Sequence, residues 1–300
     1  MNKYILNPFL PSVMEKGQSI AIGFFDGMHL GHLSLLEEIT KRQESPSILT
    51  FDLGMKNKLG GNKSGLLLTQ KEKDECLERL GVKNEYILPF DERIMNLSKQ
   101  EFLDFLARLS PKRIVVGKDF TFGRNAGGKS NDLFTLEKNG ISIHVVNLKK
   151  NKDEKVSSSN IKNKLRNKEI QEANNMLGYP FFIKARVVHG LENGRKIDFP
   201  TANMIYPDEK VKLPCGVYKT MTELDGKKYL SMTNIGTHPS INELKEDIIE
   251  TNLFDFDDNI YGKTIQVNFL EFIREQKKFN DIIELKKQLE NDRKTIMDKD

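Results

Sequence analysis

The sequence predicts an α/β chain in two parts: a parallel sheet covered by helices, then a small antiparallel β-barrel finished by a C-terminal helix. Three observations carry this prediction. In the first part, short Ile- and Val-rich runs alternate with amphipathic stretches, the rhythm of strand–helix–strand units. Past Gly178 the apolar runs follow one another with turn residues between them, as in an antiparallel barrel. The length of 300 residues suits two domains, expected here as 1–178 and 179–300.

The strands expected in the first part are Ser19–Phe24, Ser47–Phe51, Glu85–Leu88, Arg113–Val116 and Ile141–Val146, each bounded by Gly, Pro, Asp or charge. Between them Leu33–Ile39 carries Leu33, Leu35, Leu36 and Ile39 at helical spacing. Lys71–Leu80 and Gln100–Leu109 repeat that pattern, with Ser98 as N-cap of the latter. Asn151–Lys155 is polar and charged and reads as a mobile surface loop. In the second part the strands expected are Phe181–Val188, Gly216–Glu223, Lys228–Asn234, Ile248–Phe254 and Thr264–Phe272. Asp225–Gly226 reads as a hairpin turn, and Asp281–Met297 as a helix with Ile282, Leu285 and Leu289 on one face.

Composition narrows the class more than the function. Charged residues make up 30% of the chain and the net charge is +4, a balance that suits small anionic ligands as well as nucleic acid. Nothing in the sequence points to a nucleic-acid partner, and the oligomeric state is left open. Asn7, Pro8, Pro11, Glu15 and Lys16 break up the first 18 residues, so no signal-peptide core is expected. No stretch reaches the roughly 20 apolar residues of a membrane span. The two cysteines, Cys76 and Cys215, form no Cys-x-x-Cys pattern. A cytoplasmic location is therefore expected.

Five histidines occur in the chain, and two fall in the segment Gly23-Phe24-Phe25-Asp26-Gly27-Met28-His29-Leu30-Gly31-His32. This segment follows a strand and precedes a helix. His29 and His32 thus stand at a helix entrance, where unpaired N–H groups and the helix dipole favour anions. Gly31 removes a side chain where a phosphate would approach the backbone. Two imidazoles beside a triphosphate can donate hydrogen bonds to oxygens gaining charge during attack on the α-phosphate. A zinc site is the other reading of paired histidines, but no nearby cysteine or third histidine completes it.

His-x-Gly-His after a strand and a Gly-x-Phe-Asp turn resembles the nucleotidylyltransferase superfamily, and the fuller pattern resembles the bacterial bifunctional riboflavin kinase/FAD synthetase family. The resemblance runs from about Ser19 to the end of the chain. It implies a Rossmann-like nucleotidylyltransferase fold for the first domain and a riboflavin-kinase-like barrel for the second. It further implies that His29 and His32 stabilise transfer of AMP from ATP, with Gly23, Phe24, Asp26 and Gly31 around the nucleotide, pyrophosphate leaving and Mg²⁺ assisting. Val116-Gly117-Lys118-Asp119-Phe120-Thr121-Phe122-Gly123 is similar to the family's flavin-lining segment, which implies Asp119, Phe120 and Phe122 for FMN. Aromatic rings at the C-terminal end of a parallel strand are suited to stacking on a planar ligand. Ser157-Ser158-Ser159-Asn160-Ile161-Lys162 resembles a second nucleotide signature and implies Ser158, Ser159 and Lys162 at phosphates. Here Ser159 stands for Thr, and Lys162 for Arg, with loss of the planar fork. The Pro-His-Pro that the family carries after Phe51-Asp52 is missing.

In the second part, Val188-His189-Gly190 through Gly194 and Asp198 to Phe199-Pro200-Thr201-Ala202-Asn203 resembles the riboflavin kinase loop. The resemblance implies Gly190, Gly194 and Thr201 for ATP. Thr201 and Asn203, as hard oxygen donors, suit Mg²⁺. It also implies Glu250 as the base toward the ribityl hydroxyl and Arg274 near flavin. Asp198 replaces a usual Gly, Ser240 a usual Thr, and Asn252 a usual His. The resemblance implies that riboflavin plus ATP gives FMN and FMN plus ATP gives FAD. The departures leave two alternatives open: a monofunctional FAD synthetase with a degenerate kinase domain, from Asp198 and Asn252, and the mirror reading of a kinase alone, from Lys162 and the missing Pro-His-Pro; a non-catalytic flavin-binding regulator is a separate class of reading.

Overall fold

Gln18–Ile22 is buried at every position, which a strand reaches when its sheet is covered on both faces. In the computed structural model it is β2 of a six-stranded, all-parallel sheet. The other strands are β1 (Asn2–Ile5), β3 (Ser45–Phe51), β4 (Asn84–Leu88), β5 (Arg113–Gly117) and β6 (Ser142–Val146). Their order is β1-β4-β3-β2-β5-β6. The structure describes residues 1–10, 14–41, 44–52, 65–89, 91–147, 150–151, 154–190, 199–239 and 245–298. From β2 the chain winds to one side through β3 and β4, then returns to β5 and β6 on the other. The order therefore reverses between β2 and β5, and the C-terminal ends of those strands frame the crevice where such sheets bind ligands.

The helices of this unit are α1 (Leu30–Thr40), α2 (Gln70–Arg79), α3 (Glu92–Met95) and α4 (Lys99–Leu109). Thr69 with Glu72 and Ser98 with Glu101 form capping boxes that start α2 and α4. Ile20, Ile22, Leu49, Phe105, Leu106, Ile114 and Val116 share one core between sheet and helices. The sequence pattern did not mark β1, a mostly exposed edge strand that pairs only with β4. The expected loop Asn151–Lys155 is in part a ribbon, Lys150–Asn151 pairing antiparallel with Glu154–Lys155.

The second unit holds β7 (Phe182–Arg186), β8 (Ala202–Ile205), β9 (Gly216–Leu224), β10 (Lys227–Pro239), β11 (Lys245–Leu253) and β12 (Thr264–Arg274). Their order is β7-β12-β9-β10-β11-β8, antiparallel throughout. Beyond the two edge strands, Val188 and Asn203 form a bridge, with Val188 N–H donating to Asn203 O at 2.8 Å. The sheet thus nearly closes into a barrel. Asp225 (φ 50°) and Gly226 (φ 78°) make the expected β9–β10 turn, the paired positive φ values matching the twist of a tight hairpin. Inside, the hydroxyls of Thr222, Ser231, Thr220, Thr233 and Thr251 form a continuous hydrogen-bonded ladder. Outside, Leu285, Leu289 and Ile296 of α7 (Ile282–Met297) pack on Phe199, Val217, Met232 and Phe254.

The chain divides into compact units Met1–Ser158 and Ser159–Asp300, upstream of the boundary expected at Gly178. The reason is α6 (Ile170–Leu177), which packs on β12. Asn174 Nδ2 donates to Phe269 O at 2.8 Å, and Asn174 Oδ1 accepts from Phe181 N–H at 2.7 Å. It follows α5 (Ser158–Arg166). β8 was not expected either, because Pro200 and Asn203 give its segment the composition of a loop.

Candidate functional site

The turn from β2 into α1 is held in an uncommon shape. Phe25 (φ 52°) and Met28 (φ 40°) are left-handed and fully buried, a conformation that costs about 1–3 kcal/mol and concentrates at functional sites. Gly27 has φ 87°, and a Cβ there would lie 2.5 Å from Leu67 Cδ1. Asp26 is buried; its Oδ1 accepts from Leu67 N–H and its carbonyl accepts from Ser158 Oγ, both at 2.8 Å. Asp26 and Ser158, both expected at the nucleotide, thus also lock the turn itself.

His29 caps α1. Its Nδ1 accepts from His32 N–H at 3.3 Å, and the two rings stack 3.7 Å apart. With Nδ1 accepting, a neutral His29 carries its proton on Nε2 and presents a donor there. Burial pushes His29 down to about 4, against the opposing pull of the Asp26 and Asp119 carboxylates. Burial, with His29 and the Lys73 ammonium adding to it, holds His32 well below the ordinary histidine value. Both imidazoles are therefore neutral at pH 7. His32 Nδ1 is buried with no hydrogen-bond partner among the described residues. Gly31 lies buried in the first turn of α1.

Beside this turn is a cavity of about 380 Å³ lined by Gly23, Phe24, Phe51, Met95, Phe102, Asp119, Phe120, Phe122 and Gly123, among others. Phe24 packs on Phe51 at 4.8 Å between centroids, Phe102 on Phe122 at 5.1 Å and Phe120 on Phe122 at 5.7 Å. The fold brings these rings together because β2 and β5 are neighbours and both motifs start at their C-terminal ends. Asp119 forms an ion pair with Lys155. Sequence reasoning missed Phe51 and Phe102; an aromatic at the C-terminal end of a strand beside β2 was the available signal for Phe51. Ser159 and Lys162 lie in α5, where Lys162 is buried.

In the second unit, register assembles the site. Glu250 on β11 faces Asn203 on β8 to one side and Asn234 on β10 to the other. Asn234 Nδ2 donates to Glu250 Oε2 at 3.2 Å; the sequence places Asn234 at the head of a segment in the kinase order, Asn234-Ile235-Gly236, without assigning it a role. Asn203 Nδ2 donates to Thr201 O at 3.3 Å, which leaves its Oδ1 as the edge available to a cation. A Cβ on Gly190 would lie 2.5 Å from the Asn203 side chain, so this glycine, expected at ATP, makes room for Asn203. A cavity of about 730 Å³ opens alongside, lined by Pro200, Thr201, Asn252, Asp255, Tyr261, Arg293 and others. Arg274, expected near flavin, pairs with α7. It makes bidentate bonds to buried Asp292, Nε at 2.9 Å and Nη2 at 2.6 Å, and Nη1 donates to Glu275 O. Gly194, Asp198, Ser240 and the residues that follow Asp52 through 64 lie outside the described residues. Among the described residues no group of three or more His, Cys, Asp or Glu is placed to hold a metal, and no helix is long and apolar enough to cross a membrane.

Comparison with known proteins also finds two parts. The FAD synthetase family model matches residues 12–160, and the riboflavin kinase family model matches residues 177–299. A bifunctional riboflavin kinase/FMN adenylyltransferase of Bacillus subtilis is 34% identical over 289 residues, 93% of this chain and 92% of that protein. The Escherichia coli K12 protein of the same name is 33% identical over 299 residues, 95% and 94% of the two chains. A crystal structure from Streptococcus pneumoniae, described as a macrolide-efflux protein, is similar over 99% of both chains with a TM-score of 0.86 and 28% identity.

Proposed function

The chain belongs to the bifunctional riboflavin kinase/FMN adenylyltransferase family, and from that premise we propose how its two sites divide the work. The first unit transfers AMP from ATP to FMN and releases pyrophosphate; the second phosphorylates riboflavin to FMN. At the first site the free N–H groups of α1 and the Nε2–H of His29 meet the triphosphate. A neutral imidazole donates without first carrying a charge, and charge building on the phosphate oxygens strengthens that bond in the transition state. The flavin occupies the aromatic cavity, stacked among Phe24, Phe120 and Phe122, with Asp119 at its rim. The observation that carries this reading is that the cavity and the histidine turn share Gly23 and Phe24, so both substrates meet where the sheet order reverses.

At the second site Glu250 takes the proton of the ribityl hydroxyl as it attacks the γ-phosphate. The bond from Asn234 fixes one carboxylate oxygen and leaves the other for substrate. Thr201 and Asn203 offer hard oxygens beside the triphosphate, the donor set suited to Mg²⁺, which supplies charge neutralisation on the phosphates when bound. Ser159, Lys162 and Gly194 enter this proposal as nucleotide contacts. Both cysteines are free, which suits a reducing cytoplasm.

The departure at Asn252 does not favour the reading of a degenerate kinase, because its amide, on β11, donates to Pro200 O at 2.7 Å beside Thr201. A chromatographic product assay with Mg²⁺-ATP, run separately on riboflavin and on FMN, tests the proposal. FAD from both substrates is expected. FAD from FMN with no FMN or FAD from riboflavin would leave the second unit without activity, and tight flavin binding without turnover would leave a regulator.

A further inference from the structure

The β8–β11 ladder stops at Ala202 opposite Thr251. The next residues outward, Thr201 and Pro200, face no further backbone pair, and proline has no N–H with which to extend one. Yet this is the segment that must present Thr201 and Asn203 toward Glu250. Its far side is anchored by Phe199, buried against Val217, Met232, Phe254 and Ile296. Its near side takes a side-chain bond from β11. Asn252, the residue on β11 just past the last ladder pair, is 5% exposed and donates from Nδ2 to Pro200 O at 2.7 Å. A side-chain amide thus gives the Pro200 carbonyl a donor past the end of the backbone ladder.

We propose that Asn252 is a positioning residue for phosphoryl transfer: by holding the Pro200 carbonyl past the end of the ladder it fixes where Thr201 stands relative to Glu250. The inference rests on the kinase reading of this site. It also accounts for the substitution of the family's usual His at this position, because an imidazole N–H can donate to the same carbonyl. Misplacement of a substrate-positioning segment by a fraction of an ångström is costly to kcat.

The test compares Asn252→Leu, similar in volume but without a donor, with Asn252→His. Riboflavin phosphorylation is measured as kcat and KM separately. FAD formation from FMN serves as the control in the same preparation. Amide hydrogen exchange of residues 201–205 reports the segment directly. Asn252→Leu is expected to lower kcat for FMN formation about tenfold, with KM for riboflavin changed less, and to speed exchange of the segment about tenfold. Asn252→His is expected to recover both to within about threefold, and FAD formation is expected to stay within about twofold in each variant. Should Asn252→Leu not fold, Asn252→Ser, too short to reach Pro200, carries the same comparison. Wild-type kcat and exchange in the donor-less variant, or a His variant no better than Leu, overturns the inference. Absence of FMN from the wild-type chain itself overturns instead the kinase reading beneath it.

Discussion

The first unit keeps its two candidate catalytic side chains together in sequence: His29 and His32 occupy one turn at the start of α1, and one caps the other's helix. In the second unit Asn203, Glu250 and Asn234 come from β8, β11 and β10 and meet only because three strands pair in register. The environments differ as well. The imidazoles are buried and held neutral, whereas Glu250 is half-buried with an amide on one oxygen. A site built on a helix entrance tolerates change elsewhere in the sheet. A site built by register depends on the pairing of the strands that carry it.

If the two sites are as separate as this contrast implies, His29→Ala should lower FAD formation from FMN about 10³-fold, the scale of losing a transition-state donor. Riboflavin phosphorylation should stay within about twofold by the same assay. Glu250→Gln should do the reverse, lowering FMN formation about 10²-fold, as expected for loss of a general base, with FAD formation from FMN preserved. Parallel loss of both activities in either variant would break the comparison.

Two glycines sharpen it at the level of stability. Gly27 has φ 87° and Leu67 2.5 Å from where a Cβ would stand, while Gly226 has φ 78° and nothing within 4 Å. Gly27→Ala should cost about 3 kcal/mol, strain plus a clash, and Gly226→Ala about 1 kcal/mol, strain alone. Denaturant midpoints compare the two.

A smaller effect separates the units by pH. The depressed value of His29 means that the unfolded chain binds a proton between pH 6.5 and about 4 that the folded chain does not. Its contribution to stability is therefore full above pH 6.5 and is lost as pH falls toward 4; His32 acts in the same direction. His29→Gln should flatten the fall in melting temperature over that range.

This contrast also explains what could be read from the sequence. The histidine turn and α1 were legible because strand end, glycine, cap and helix are contiguous. The strands β2 to β6 were legible from apolar runs, and the Asp225–Gly226 hairpin from its turn residues. β1 was not, because an exposed edge strand carries no apolar pattern. β8 was not, because Pro200 and Asn203 look like loop until β11 lies beside them. The contacts of Phe102 and Asn234 were not legible because they arise from tertiary packing and strand register, which a single sequence does not display. Arg274 was legible as important but not as the partner of Asp292, a residue on a helix whose packing face only the barrel defines.

The most direct test of two independent sites in one chain is complementation. His29→Ala and Glu250→Gln proteins are each incubated with riboflavin and Mg²⁺-ATP, then mixed in equal amounts, with FMN and FAD followed by chromatography. The account predicts FMN alone from the first, neither product from the second, and FAD from the mixture after a lag in which FMN accumulates. No FAD from the mixture, although the first variant makes FMN and the second converts added FMN, would contradict it.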